Sequence, residues 1–222
     1  IPRAVLMVVI GSAIFVGLPI IGWGVADVSG FVDHPARVGY ILITVLLQII
    51  VVLKFPNVGR TGGKGTKLVR QQQIAVVLLQ IISLAMVIVI PATDHHDIAI
   101  LRPDAVRYLG LLIYPLGFFI TNWSEHSLGK QFSVQVTIQE GHQLITNGPY
   151  RMLRHPRYLG IMLMNLGLAL IFASWVGLAI VVVLIGVLLW RIRDEEALMR
   201  QEFGAEWDAY AEKSWRLIPY LY

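Results

Sequence analysis

Residues 158–192 decide the fold, and they read YLGIMLMNLGLALIFASWVGLAIVVVLIGVLLWRI, with Arg191 as the only charged position. A single helix of this length would measure about 52 Å. The hydrocarbon core of a bilayer is only about 30 Å thick. We therefore predict two short antiparallel helices, joined by a turn near Ala173–Gly177, that form a hairpin in the membrane.

The rest of the chain has the composition of a membrane protein. Of its 222 residues 56% are apolar and 14% are charged, and the mean hydropathy is +0.69. These values exclude a soluble enzyme, a disordered chain and a nucleic-acid-binding module. The absence of cysteine excludes disulfides and thiolate chemistry. Four further apolar runs precede the hairpin: Ala4–Ala26, Val38–Phe55, Ile74–Ala92 and Val106–Trp123.

We predict an all-α polytopic membrane protein with about six transmembrane helices. Ala4–Ala26 is too long for a cleaved signal core, so we interpret it as a true span. Residues 1–124 would hold the four N-terminal spans. Residues 125–222 would form a second region made of a polar loop, the hairpin over 158–192 and a polar tail.

The distribution of Lys and Arg predicts the orientation. In a six-span topology 15 of the 18 basic residues fall on one side, and only Arg37, Arg102 and Arg107 fall on the other. Positive charge marks the cytoplasmic side. We therefore expect both termini, the polar loop, the tail and any active site at the cytoplasmic face.

Two polar segments resemble ligand sites but fail closer inspection. Gly59–Gly65 lacks P-loop spacing and follows no strand, so a basic loop near anionic lipid is the better interpretation. Asp94–Asp97 has metal-ligand residue types, but its adjacent histidines point in different directions, and we expect no metal there. Polar residues inside the spans are expected to form interhelical hydrogen bonds.

Two charged segments flank the hairpin. Before it, Arg151, Arg154, His155 and Arg157 crowd cationic groups between Tyr150 and Tyr158. After it, Glu195 and Glu196 stand where a positive flank is usual. Because the second arm returns to the face where the first begins, the two carboxylates should face the cations across a pocket at the membrane surface.

The C-terminal half resembles the isoprenylcysteine carboxyl methyltransferase and phospholipid methyltransferase family of integral membrane enzymes. The resemblance extends from about Leu128 to Pro219, and the order and spacing of its motifs make it specific. The motifs are His142-x-Leu-Ile-Thr-x-Gly-x-Tyr150, Arg154-His-Pro-x-Tyr-x-Gly160, Glu195-Glu196, Phe203-Gly204, the Trp207/Tyr210 pair and Arg216-Leu-Ile-Pro219.

The resemblance implies S-adenosylmethionine as the cofactor, bound without a Rossmann fold. A carboxylate suits the cofactor's ammonium, cations suit its carboxylate, and an apolar or aromatic wall suits its adenine. By this resemblance the cofactor-binding residues are His142, Leu144, Ile145, Tyr150, His155, Pro156, Tyr158, Glu195 and Glu196. Arg154 and Arg191 would face the methyl acceptor as the catalytic residues.

We assign the two carboxylates different roles, because neighbouring helical residues point about 100° apart. Arg191 lies four residues before Glu195 and can pair with it. We therefore expect Glu196 to hold the cofactor ammonium.

The acceptor would be lipophilic and enter from the bilayer, in contact with membrane lipids. The resemblance implies carboxyl O-methylation of an isoprenylcysteine-like substrate, without nucleic acid or metal. One alternative is a phospholipid N-methyltransferase. Another is an NADPH-dependent reductase of the sterol-reductase type, whose tail the segment Trp207–Tyr222 also resembles. A third is a non-enzymatic membrane protein such as a carrier or assembly factor.

Overall fold

The computed structural model describes residues 3–54, 67–68, 71–129, 137–138 and 143–220. In chain order the described α-helices are α1 (Arg3–Ser12), α2 (Leu18–Trp23), α3 (Val28–Val32), α4 (Pro35–Lys54), α5 (Gln71–His95), α6 (Ala105–Leu128), α7 (Pro156–Ile171), α8 (Trp175–Phe203) and α9 (Ala205–Ala211). A π-helical turn, Ala13–Gly17, joins α1 to α2. Two short antiparallel strands, β1 (Lys67–Leu68) and β2 (Thr137–Ile138), pair with each other.

The architecture confirms an all-α polytopic membrane protein. Among the described residues, five segments are long and apolar enough to cross a bilayer, and α7 is a shorter apolar helix of 16 residues. The five segments are Val5–Trp23, Pro35–Lys54, Gln72–His95, Ala105–Leu128 and Trp175–Phe203. The first of them joins α1, the π-helical turn and α2 in one continuous span.

The predicted hairpin is formed by α7 and α8, but its arms are unequal. The turn comprises residues 172–174, and Ser174 caps α8 by accepting a hydrogen bond from the Gly177 N–H over 2.9 Å. At 29 residues α8 is about 43 Å long. The prediction of two short arms is therefore wrong for α8. The helix continues through the charged segment after Arg191 and carries Glu195 and Glu196 beyond the apolar part of the span.

Backbone contacts divide the connecting segments between two ends of the helix bundle. At one end, Leu101 N–H donates to Ala173 O over 2.7 Å and Trp175 N–H donates to Ala99 O over 2.9 Å. We call this the turn end, because it contains the hairpin turn. At the opposite end, β1 pairs with β2, and the start of α7 lies beside the C-terminal part of α8, near Glu196. We call this the tail end. This division of the connecting segments between two ends is the one that the predicted six-span arrangement requires.

Glycines let α6 and α7 approach closely. Gly110 and Gly117 on α6 lie seven residues apart, as do Gly160 and Gly167 on α7. A Cβ atom added at Gly110 would lie 2.6 Å from Ile171 N, so no larger residue fits without a shift. Small residues at helix interfaces permit this kind of packing in membranes. The predicted domain boundary at residues 124/125 falls inside α6, and the division stays a prediction.

A buried ion-pair cluster joins three helices at the turn end. Asp94, whose side chain is 4% exposed, accepts hydrogen bonds from Arg37 Nη1 at 3.0 Å and from Arg107 Nη2 at 2.6 Å. Both guanidinium groups also donate to backbone carbonyls, Arg37 to Phe31 O and Arg107 to Ile171 O. Asp94 therefore lies in α5 as a link between helices, while Asp97 lies beyond the helix in the exposed loop.

Candidate active site

The segment before α7 is held against the C-terminal tail. Arg154 N–H donates to Trp215 O over 2.7 Å, and His155 N–H donates to Arg216 O over 3.1 Å. In return, Trp215 N–H donates to Met152 O over 3.0 Å. His155 is the residue before the helix and Pro156 is its first residue, where proline is well tolerated. The tail thus fixes the position of the cationic segment at the start of α7.

Glu196 is the centre of the first polar cluster. Its Oε1 accepts from Arg154 Nε at 2.9 Å and lies 3.3 Å from His155 Nε2, while its Oε2 accepts from Arg216 Nη2 at 2.6 Å. The Arg154 guanidinium also donates to the carbonyls of Ala211, at 2.7 Å, and Ser214. One carboxylate therefore joins α8, the start of α7 and the tail. We call Arg154, His155, Glu196 and Arg216 the Glu196 cluster.

Tyr158, in the first turn of α7, is the centre of a second cluster. Its hydroxyl donates to Glu195 Oε2 over 2.6 Å and accepts from Arg191 Nε over 2.7 Å. Its ring stacks on His155, with 5.6 Å between the ring centroids and 10° between the planes. Glu195 and Arg191 thus meet at this hydroxyl. We call Tyr158, Arg191 and Glu195 the Tyr158 cluster.

An apolar cavity of about 400 Å³ extends from the Tyr158 cluster into the spans. Arg157, Tyr158 and Arg191 line it at the tail end, and the Arg157 Nε atom also contacts Glu125 Oε1 at 2.9 Å. The other lining residues, drawn from the π-helical turn, α2 and α4 to α8, are Ile14, Phe15, Leu18, Tyr40, Val76, Leu79, Gln80, Ser83, Leu84, Val87, Tyr114, Ile161, Met164, Asn165, Leu168, Leu184 and Leu188.

The cavity is open toward the side of the bundle. Two of its lining side chains are exposed on the apolar surface, Ile14 by 42% and Leu84 by 52%. In a bilayer these positions face lipid. The cavity therefore has a polar end at the tail end of the bundle and an apolar body that a lipid chain can reach laterally.

Tyr150, in the segment before α7, is buried and is hydrogen-bonded to the half-buried Tyr210 of α9. Tyr150 lies in the 3₁₀ turn Gly148–Arg151, and its carbonyl accepts a hydrogen bond from the Tyr210 hydroxyl over 2.7 Å. Burial raises the pKa of Tyr150 well above its usual value and that of Tyr210 to about 12. The Tyr210 hydroxyl therefore stays protonated at neutral pH and donates to the turn. Beside it, Thr146, Arg151, Ala209 and Lys213 complete a polar cavity of about 420 Å³.

The structure brings most of the predicted site residues together. His155, Tyr158, Arg191, Glu195 and Glu196 form the two adjoining clusters described above. Leu144 and Ile145 are half-buried in the segment that leads to the 3₁₀ turn, and Pro156 is buried at the start of α7. His142 lies outside the described residues. Of the two arginines assigned to the acceptor, Arg191 lines the apolar cavity, whereas Arg154 belongs to the Glu196 cluster.

Three residues that contribute contacts at the tail end were not predicted from the sequence. Arg157, which the sequence placed among the cations before the hairpin without a role of its own, lines the cavity. Arg216 belonged to a quoted motif but received no role, and it binds Glu196. Gln72, at the start of α5, donates from Nε2 to Asp194 Oδ2 and so links α5 to the charged part of α8. Only the Arg216 motif offered a signal in advance.

Among the described residues, no group of three or more His, Asp and Glu side chains is placed to hold a metal ion. The polar chemistry of the clusters is that of carboxylates, guanidinium groups, an imidazole and a phenol. These groups bind charged organic molecules and position them through hydrogen bonds.

Comparison with known proteins gives consistent matches. A family model described as phospholipid methyltransferase matches residues 106–206. A probable protein-S-isoprenylcysteine O-methyltransferase of Oryza sativa subsp. indica is 29% identical over 140 residues, which cover 58% of this chain and 71% of the rice protein. Protein-S-isoprenylcysteine O-methyltransferase A of Arabidopsis thaliana is 29% identical over 119 residues, 52% of this chain and 60% of that protein.

A third relative comes from a fungus. The protein-S-isoprenylcysteine O-methyltransferase of Schizosaccharomyces pombe is 29% identical over 113 residues, which cover 48% of this chain and 46% of the yeast protein. The residues that the family model matches, 106–206, include α7 and the whole of α8. They therefore include every member of the two polar clusters except Arg216.

Proposed function

Since this chain belongs to the isoprenylcysteine carboxyl methyltransferase and phospholipid methyltransferase family of integral membrane methyltransferases, we propose that it methylates a lipophilic carboxylate with S-adenosylmethionine. The acceptor is isoprenylcysteine-like and enters from the bilayer. The reaction takes place at the tail end of the helix bundle, which we assign to the cytoplasmic face.

One observation supports this proposal above the others. The Tyr158 cluster forms the polar end of a cavity whose body is apolar and open to lipid. A lipid with a charged head fits this arrangement, since its chain fills the cavity while its head reaches Tyr158 and Arg191. The Glu196 cluster adjoins the same point through the stacked rings of His155 and Tyr158.

The residues present fit S-adenosylmethionine. Glu195 uses Oε2 for Tyr158, and among the described residues its Oε1 has no hydrogen-bond donor. This half-buried carboxylate oxygen suits the ammonium of the cofactor. Glu196, in contrast, already has three donors. We therefore assign the ammonium to Glu195 and give Glu196 the role of holding His155 and the tail in place.

We assign the remaining cofactor contacts to the segment that precedes α7. Tyr150, Leu144 and Ile145 offer an apolar wall for adenine, and His142 is assigned to the same site from its motif. When bound, S-adenosylmethionine supplies a sulfonium methyl group, which forms a bond to an acceptor carboxylate oxygen as its S–C bond breaks and the sulfur retains the electron pair.

The protein's part in this step is to orient the acceptor. A carboxylate is already ionised near neutral pH and needs no base. Arg191, held by the Tyr158 hydroxyl at 2.7 Å, is placed to bind it, together with Arg157 on the next face of α7. Fixing the attacking oxygen in line accounts for much of the rate. Arg154 acts on the reaction through Glu196, as a positioning residue.

The orientation in the membrane rests on the charge distribution. The tail end contains the described basic residues that the topology places inside, and the turn end contains Arg37, Arg102 and Arg107. Labelling of a cysteine introduced as Gly62→Cys tests this assignment, since the chain has no other cysteine. We expect labelling only after the membrane is permeabilised. Labelling from outside intact cells would overturn the orientation.

Methyl transfer itself is tested with purified protein in lipid vesicles, methyl-labelled S-adenosylmethionine and an N-acetylcysteine that carries a farnesyl thioether. We expect label in the lipid extract that mild alkali releases as methanol, because esters hydrolyse under these conditions. Alkali-stable label on an amine lipid would instead show a phospholipid N-methyltransferase. Absence of transfer to either acceptor would overturn the proposal. Arg191→Gln, with exposed Arg193→Gln as its control, should abolish transfer while leaving cofactor binding unchanged.

A further inference from the structure

The acceptor cavity contains polar side chains at mid-depth. Asn165 on α7, which is buried, and Gln80 and Ser83 on α5, which are exposed, line it, although the neighbouring lining positions on both helices are apolar. Asn165 lies nine residues after the start of α7, and Gln80 lies nine residues after the start of α5. Both helices begin at the tail end, so these side chains are at similar depth, about 13 Å from that end.

Helix packing does not account for these groups. Asn165 donates from Nδ2 to Ile161 O, in its own helix, over 2.8 Å. Because the Ile161 carbonyl can only accept a hydrogen bond, the amide nitrogen of Asn165 must face it. The Oδ1 atom of Asn165 can then accept a hydrogen bond from another group. Within the described part of the chain, Oδ1 has no donor, and neither Gln80 nor Ser83 bonds to another helix. A polar group in an apolar environment costs free energy unless it is hydrogen-bonded.

We propose that the natural acceptor carries a hydroxyl group on its chain, about 10 Å from the carboxylate that is methylated. This inference rests on the proposed function. The distance is the rise from Tyr158 to Asn165, seven residues along α7. The hydroxyl donates to Asn165 Oδ1 and accepts from Ser83 or Gln80 across the cavity. The substrate class is therefore a hydroxylated lipophilic acid rather than a plain hydrocarbon chain.

Three acceptors of equal chain length distinguish this substrate class. Each is an N-acetyl-S-alkylcysteine, with a plain chain, with a hydroxyl on the sixth carbon, or with a hydroxyl at the chain end. The sixth carbon lies roughly nine bonds from the carboxyl carbon, which spans about 10 Å in an extended chain. The chain-end compound has the same polarity in a different place, so it controls for partition into the vesicles.

For the wild-type protein we expect kcat/KM for the sixth-carbon hydroxyl to exceed the values for the other two acceptors by about tenfold. Asn165→Leu should remove this preference, with the ratio of the kcat/KM values between the acceptors as the readout. Ser83→Ala should reduce it in part. Leu168→Met changes another lining residue of α7 and should leave it intact.

The outcomes separate this inference from the proposed function. Equal methylation of the plain and sixth-carbon compounds by the wild-type protein would overturn the inference alone. A preference that survives both Asn165→Leu and Ser83→Ala would do the same. If none of the three acceptors is methylated, the proposed function fails, and the inference fails with it.

Discussion

Arg154 and Glu196, 42 residues apart in the chain, are joined by a hydrogen bond of 2.9 Å from Nε to Oε1. Arg154 precedes α7, and Glu196 lies on the part of α8 that extends past the apolar span. Their contact brings the two ends of the hairpin together. His155 and Arg216 bind the same carboxylate, so the start of α7, the end of α8 and the tail form one unit beside the cavity.

The first prediction concerns the stability of this unit. Glu196→Gln removes the charge that three donors share and leaves Arg154 and Arg216 opposite a neutral amide. Charge-assisted hydrogen bonds contribute about 1.5–3 kcal/mol, so we expect the melting temperature to fall by roughly 4–10 °C. Thermal unfolding in detergent, with exposed Glu202→Gln as the control, measures this. An unchanged melting temperature would show that Glu196 does not hold the tail.

The second prediction concerns the neighbouring carboxylate. Glu195→Gln should leave the melting temperature near that of the wild-type protein, because Glu195 has one described partner, Tyr158. Its affinity for S-adenosylhomocysteine should fall about tenfold or more, because the ammonium loses a charged partner. Calorimetric titration measures the affinity, again with Glu202→Gln as the control. Wild-type affinity in Glu195→Gln, together with lost binding in a folded Glu196→Gln, would reverse the two roles.

The third prediction concerns the hydroxyl between Arg191 and Glu195. Tyr158→Phe retains the ring stacked on His155 but removes the group that orients the guanidinium. We expect kcat to fall on the order of 100-fold, with a small change in the affinity for S-adenosylhomocysteine. The matched control is Tyr108→Phe on α6, where the side chain is 44% exposed. If kcat in Tyr158→Phe equals that of the wild-type protein, the hydroxyl does not position Arg191.

The fourth prediction concerns the turn end, away from the proposed chemistry. Asp94→Asn leaves Arg37 and Arg107 buried together without their carboxylate. Breaking a buried ion pair costs about 3–5 kcal/mol, so the melting temperature should fall on the order of 10 °C. Asp97→Asn, in the exposed loop, is the control. Folded Asp94→Asn should retain its affinity for S-adenosylhomocysteine, and a loss of that affinity would contradict a purely structural role.

The hairpin and the charged residues beside it were predictable from the sequence, because both depend on local pattern. An uncharged stretch longer than one span requires a turn, and the second arm must return to the face of the first. The length of α8 was not predictable in this way. The tail from Arg193 has a helical pattern, but the sequence did not show that it continues the span as one helix, held against the bundle by contacts with the start of α7 and with Gln72.

The sequence also did not show which residues of the site contact one another. Arg191 and Glu195 are one turn apart on α8, which favoured a direct pair, but they meet at Tyr158 from another helix. Likewise, the walls of the cavity come from helices with no recognisable motif, including Tyr40 on α4 and Tyr114 on α6. Such contacts depend on how helices pack in three dimensions. One sequence contains no signal for them.

Binding of S-adenosylmethionine at the tail end, with its ammonium on Glu195 of the Tyr158 cluster, is tested by calorimetric titration of the purified wild-type protein with two ligands. We expect saturable binding of S-adenosylhomocysteine at a single site, and no heat of binding with NADPH. Saturable binding of NADPH without binding of S-adenosylhomocysteine would contradict it and would favour a reductase.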